Sequence, residues 1–246
     1  MSAVAVMLIA MGAADACRRM FRPGWLPVIV GPAVVVLVAA LSGLWHRGDI
    51  ALLAIAALAT VAWEWLSVRS ERSGKQHAAP LLVFTATLVV LIVLSGWGSR
   101  AGGVVERWIQ WSGLPLAHVE AARLLMVVGA VLLQLVTGNQ LVRLVLGSVG
   151  AVKPEGQPQP SDRLKGGRLL GPMERLLILG LGLAGQVTAA TAVVAAKSII
   201  RFPEINAQKG RANGDIGIDD VTEYFLLGSF ASWLLALIGL ALALSQ

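Results

Sequence analysis

Residues 50–68 read IALLAIAALATVAWEWLSV, a run whose only charge is Glu64. As an α-helix at about 1.5 Å per residue it covers roughly 29 Å, close to the thickness of a bilayer's hydrocarbon core. Residues 51–62 (ALLAIAALATVA) show no alternation of apolar and polar positions, which a membrane β-strand requires. The run therefore predicts a helix that spans a membrane. Similar blocks occur at Trp25–Leu44, Ala79–Trp97, Glu120–Val136 and Thr222–Leu244, and a shorter one at Ala3–Ala16 that either tilts across or turns back. The whole chain is 57% hydrophobic and only 14% charged, unlike a soluble domain. The expectation is an all-α, polytopic helical membrane protein, multi-pass in a bacterial inner (plasma) membrane.

Charge distribution sets the orientation. The formal net charge is +6, and cytoplasmic loops of membrane proteins carry such an excess, so the basic character implies a lipid bilayer as partner and no nucleic acid. Residues 173–202 would make one helix of about 45 Å, too long for the core without strong tilt. A reversal near Gly185 and Gln186 instead brings the cations on both sides of it to one face. About eight transmembrane segments result. With both termini outside, every cation except Arg47, Arg100, Arg107 and Arg123 falls on the cytoplasmic side.

The chain divides in three. Residues 1–150 form a five-helix membrane lobe, with an interfacial segment at 103–113 where Val104, Trp108 and Trp111 recur at helical spacing. Residues 137–150 read as a bent extension along the membrane surface. Residues 151–166 (AVKPEGQPQPSDRLKG) are a proline-rich cytoplasmic linker. Residues 167–246 form a three-helix membrane bundle with a charged cytoplasmic face. Small-residue stripes such as Gly228, Ser232 and Ala236 let its helices approach closely.

On that face the bundle collects Glu174 and Arg175, then Lys197, Arg201 and Glu204, then Glu223 and Tyr224. Arginines and lysines beside carboxylates and a phenol suit an anionic lipid headgroup, a phosphate-bearing ligand or a protein partner. The same charges also fit plain helix-end electrostatics, with acids at N-termini and cations at a C-terminus. Arg175 fits that less well. Placed at a helix start opened by Met173, it opposes the dipole and calls for a partner such as Glu204 or Glu223.

No metal or cofactor is implied, and the chain carries no recognised catalytic motif. Cys17 is the single cysteine, and His46, His77 and His118 sit in separate loops without metal-ligand spacing. The sequence has no phosphate-cradling GxxxxGK loop and no serine nucleophile elbow.

The C-terminal third, with Gly167–Gly171, Glu174–Ile178, Gly185 and Gln186, Ala195–Ile199, Arg201, Phe202, Glu204, Ile205 and Glu223–Ser229, resembles an uncharacterised family of bacterial multi-pass membrane proteins. That resemblance implies a helical membrane protein and brings no particular activity. Four readings follow from the residues. The first is a ligand or partner site on the charged face. The second is a small solute transporter with a pathway lined by Asp15, Glu64, Gln134 and Asn139, buried ionisable groups in membranes being functional candidates. The third is an enzyme on a lipid-linked substrate with Glu174 or Glu223 as general base. The fourth is a structural subunit. Glu64, close to the cytoplasmic boundary, either works in the second of these or simply reaches water.

Overall fold

The helix that expectation placed least firmly lies at the centre of the molecule. In the computed structural model, which describes residues 1–21, 25–74, 76–112, 119–152, 167–196, 199 and 218–245, helix α1 (Ser2–Met20) is unbroken and buried along almost its whole length. Val4, Ala5, Val6, Met7 and Ala10 have no exposed surface at all. Such enclosure suits a helix that is apolar on every side, since no face of it needs water. An unbroken helix also settles the alternative of a segment turning back within residues 3–16.

Around α1 stand α2 (Leu26–Ser42), α3 (Arg47–Ser73) and the long helix formed by α6 (Ala121–Leu132), a π-helical turn (Leu133–Thr137) and α7 (Gly138–Ser148). Helix α4 (Ala78–Val93), prolonged by a 3₁₀ turn (Leu94–Trp97), covers α3 and α7. The short α5 (Gly103–Trp111) turns Ile109 into the core and leaves Trp108 and Trp111 outside. Helices α8 (Gly167–Leu183), α9 (Val187–Ala196) and α10 (Ile218–Leu244) complete the described chain. Ile178 of α8, Ala190 of α9 and Ala236 of α10 share one apolar cluster, and α10 also packs along α6 and α7. Among the described residues there is no strand.

The break between α8 and α9 falls where the charge argument put it. Gly185 adopts φ +75°, a left-handed conformation open mainly to glycine, and its N–H reaches Gly182 O while Gln186 N–H reaches Leu181 O. These paired bonds close the end of α8 and let the chain turn.

The segment count is corrected. Among the described residues, four helices are long and apolar enough to cross a membrane: Arg47–Ser73, Ala78–Trp97, Ala121–Ser148 and Thr222–Leu244. The expected first span fails because α1 carries Asp15, Arg18 and Arg19 within its 19 residues, the second because α2 has only 17, and the sixth because α8 has only 17; the seventh is described only over Val187–Ala196, with the rest of its expected range partly outside the described residues. Residues 138–148 also differ from expectation. They continue the α6 helix through the π turn instead of bending away from it.

Outer surfaces are strongly apolar. Leu82, Val89 and Val93 on α4, Ile29 and Val36 on α2, and Leu226, Phe230 and Leu237 on α10 all stand exposed. Faces this extensive mark contact with lipid or partner protein, not with water.

Because α1 is enclosed, its contacts with α6 should dominate stability. Leu8→Ala is expected to cost about 2–4 kcal/mol through lost packing and the cavity left behind, whereas Leu82→Ala on the outer face should stay within about 0.5 kcal/mol. Thermal unfolding of the detergent-solubilised protein distinguishes the two.

Candidate functional site

Polar residues inside the bundle gather in two adjoining groups near the end where α1 finishes. The first begins with Asp15 and Arg18, one turn apart on α1, whose carboxylate and guanidinium meet at 2.9 Å. Arg18 also lies 3.7 Å from Glu64 of α3 and 3.8 Å from Glu71 one helical stretch further on. Trp63 donates its indole N–H to both oxygens of Asp15 at 3.3 Å, and its ring packs against Phe84 of α4. The hydroxyl of Thr137, from the π turn, stands beside Asp15 without a well-formed hydrogen bond.

Exposure grades sharply across this group. Asp15 and Glu64 side chains are 1% exposed, Arg18 19% and Glu71 37%, so the arginine and the outer glutamate form a rim above two enclosed carboxyls. Glu64 does not reach water. Both of its oxygens are buried without a hydrogen bond among the described residues, as is the hydroxyl of Ser67 one turn away. A bare buried carboxylate is costly, and native structures normally satisfy such groups.

The second group is built on the π turn. There Gly138 N–H bonds to Leu133 O, five residues back, so Gln134 O loses the partner an α-helix would give it. Arg175 of α8 supplies the replacement, donating Nε at 3.2 Å and Nη2 at 2.9 Å to that carbonyl. The same guanidinium donates to Asn139 Oδ1 at 2.6 Å and to Ser232 Oγ of α10 at 3.0 Å. Arg19 of α1 donates to a second carbonyl of the turn, Val136 O, at 2.7 Å. Gln134 reaches across to Leu235 O at 3.0 Å, and Trp233 of α10 donates to Glu174 at 2.8 Å.

Gly138 is required by this packing. A Cβ there would stand 2.8 Å from Leu133 O, 3.1 Å from Arg175 Nε and 3.2 Å from its Cζ. The backbone has to come this close for a 1%-exposed guanidinium to sit over the turn.

Of the residues singled out on the charged face, Glu174 and Arg175 are together and buried on α8. They do not open that helix. It begins at Gly167 and passes through Pro172, which places both residues in its interior, away from the positive end of the dipole. Arg175 bonds to neutral oxygens, not to Glu223, which is exposed at the start of α10 beside the half-buried Tyr224. Lys197, Arg201 and Glu204 lie outside the described residues. The pathway set fares differently: Asp15, Glu64, Gln134 and Asn139 all belong to the two polar groups.

Several partners went unread in the sequence. Arg18 and Arg19 were counted only as orienting charges, and Trp63 only as a neighbour of Glu64. The three-residue spacing of Asp15 and Arg18 is the one signal that pointed to their pairing. Among the described residues no set of three or more His, Cys, Asp or Glu could hold a metal ion.

Comparison with family models, curated proteins and solved structures finds no match.

The two groups differ in chemistry. Arg175 has four of its five donors engaged, so an anion would have to compete with bonds already made. Glu64 has both oxygens idle. Arg175→Met is therefore expected to cost about 1–3 kcal/mol for the orphaned Gln134 carbonyl alone, and Arg175→Lys should recover less than half because an ammonium lacks the planar fork. Unfolding midpoints of the two variants in one detergent check this order.

Proposed function

We propose that this chain is a multi-pass membrane protein that carries a small solute in exchange with, or together with, protons loaded on the Asp15 and Glu64 pair. The observation behind this reading is Glu64 itself, a carboxyl buried in the bundle with no hydrogen bond to either oxygen, sharing one guanidinium with a second buried acid. Two carboxylates against one arginine leave a net negative charge that the low dielectric penalises. A proton is the neutralising species that fits. Arg18 already faces both acids with positive charge and would repel a metal ion, while Arg19 is turned to Val136 O and Glu71 sits at the rim.

The membrane reading rests on the four long apolar helices and on the exposed apolar faces of α2, α4 and α10. Orientation follows the positive-inside rule: the bundle end that carries Arg18, Arg19, Arg69, Arg72 and Arg143 faces the cytoplasm of a bacterial plasma membrane. The acid pair would then open inward, through Arg18 and Glu71. A headgroup or partner site formed by Glu223 and Tyr224 with Lys197, Arg201 and Glu204 has less support, since Arg175 is committed to the π turn.

Protein in proteoliposomes, adsorbed on a solid-supported membrane and challenged with a panel of small solutes under an imposed pH gradient, tests the carrier reading. A solute-evoked current should appear in the wild type, fall at least tenfold in Glu64→Gln and persist in Glu71→Gln. Silence across a broad panel, or a current indifferent to Glu64, would count against it.

A further inference from the structure

The outer face of α3 carries a pattern that neither the polar core nor the packing of the bundle uses. Ala51, Ala54, Leu58, Ala62, Trp65, Arg69 and Arg72 follow one another at three- and four-residue steps, so they lie in a single stripe along the helix. All but the half-buried Ala62 are exposed, Leu58 at 71% and Trp65 at 59%. The stripe changes character along its length: alkyl side chains for three turns, then an indole, then two guanidiniums.

Dimensions match this change to a bilayer. From Ile50 to Arg69 the helix rises about 29 Å, so a hydrocarbon core of about 30 Å that starts beside Asp49 ends at Arg69. Trp65 then lies at the boundary where indoles prefer to sit, and both arginines reach the headgroup layer. Arg69 lies one turn beyond Trp65 and Arg72 one turn beyond Arg69, so the two cations follow the indole on the same helix face.

Trp65, Val68, Arg69, Arg72 and Ser73 form one open surface patch on the last turns of α3. The Arg69 guanidinium lies over the Trp65 ring, 5.5 Å from its centre. Among the described residues no carboxylate forms an ion pair with Arg69 or Arg72. Two unpaired arginines one turn apart present a bidentate surface for a phosphate, and the alkyl stripe beneath them fits an acyl chain.

We propose that this face of α3 is a site for one anionic phospholipid, its phosphate held by Arg69 and Arg72 against Trp65 and its chains lying along Leu58 and the alanines. The occupant is a lipid and not free phosphate because charge and alkyl surface are continuous on one helix face. The proposal rests on the membrane reading alone and is independent of what the acid pair does.

Native mass spectrometry of the delipidated full chain decides it, with phosphatidylglycerol, phosphatidylcholine and inorganic phosphate as separate probes. One phosphatidylglycerol should be retained at least tenfold more strongly than phosphatidylcholine. That preference should fall about tenfold in Arg69→Gln/Arg72→Gln and fall in Trp65→Ala, but survive in Arg100→Gln/Arg123→Gln, which removes two exposed charges elsewhere. Equal retention of the two lipids by the wild type, or equal loss in the control variant, overturns the site and leaves the membrane reading standing. Displacement of the lipid by millimolar phosphate overturns the choice of lipid as occupant. Failure to retain lipid of either class likewise overturns the site.

Discussion

A helix enclosed on every side by other helices can reach neither lipid nor water, so each polar atom on it must be met by a neighbour. That constraint on α1 organises much of the bundle. Along most of its length it is met trivially, because the side chains are small and apolar. At its last turns it is met by chemistry: Asp15 takes Arg18 and Trp63, and Arg19 takes a backbone carbonyl of the π turn. The places where α3 and the α6–α7 helix must carry polar groups are set by what α1 presents to them.

Arginine serves this interior in two ways. Arg175 acts as a surrogate for a missing backbone N–H group, capping Gln134 O where the π turn shifts the hydrogen-bond register, while Arg19, exposed at the end of α1, donates to Val136 O. The five-donor fork and permanent charge of Arg175 allow one side chain to bridge α8, α10 and the turn together. Arg18 instead balances charge, and it does so incompletely, with two enclosed acids on one guanidinium. A fully satisfied polar group rigidifies its surroundings, while an incompletely satisfied one is where a protein retains capacity to bind or release something. Candidate chemistry therefore sits with Glu64 and not with Arg175, although Arg175 is the larger buried polar residue.

Much of the helical architecture was legible in the sequence. Residues 50–68, 79–97 and 222–244 are apolar blocks of spanning length, and each lies within a long helix. A break near Gly185 was also legible, because residues 173–202 exceed the length of one span. What escaped were facts about neighbours. Composition does not say that the apolar run at residues 3–16 is interior, so it was counted as the first of eight segments. A π turn has no residue signature in LQLVT, and the sequence alone hides that Gln134 O needs a donor. Reading Met173 as a helix start led to the expectation that Arg175 opposed a dipole. The helix begins six residues earlier, and Arg175 answers a carbonyl on another helix. Asp15, Glu64, Gln134 and Asn139 were found by a simpler rule, polarity inside apolar runs, which does not require knowing the fold.

The central position of α1 bears on how the protein is made. It precedes α3 and α6 in the chain, and its closest packing partner along Val4–Met11 includes Leu125, Met126 and Gly129, which leave the ribosome more than a hundred residues later. With Asp15, Arg18 and Arg19 near its end, α1 is a poor candidate for stable insertion alone. The enclosure of α1 is thus completed by residues synthesised long after the segment they surround.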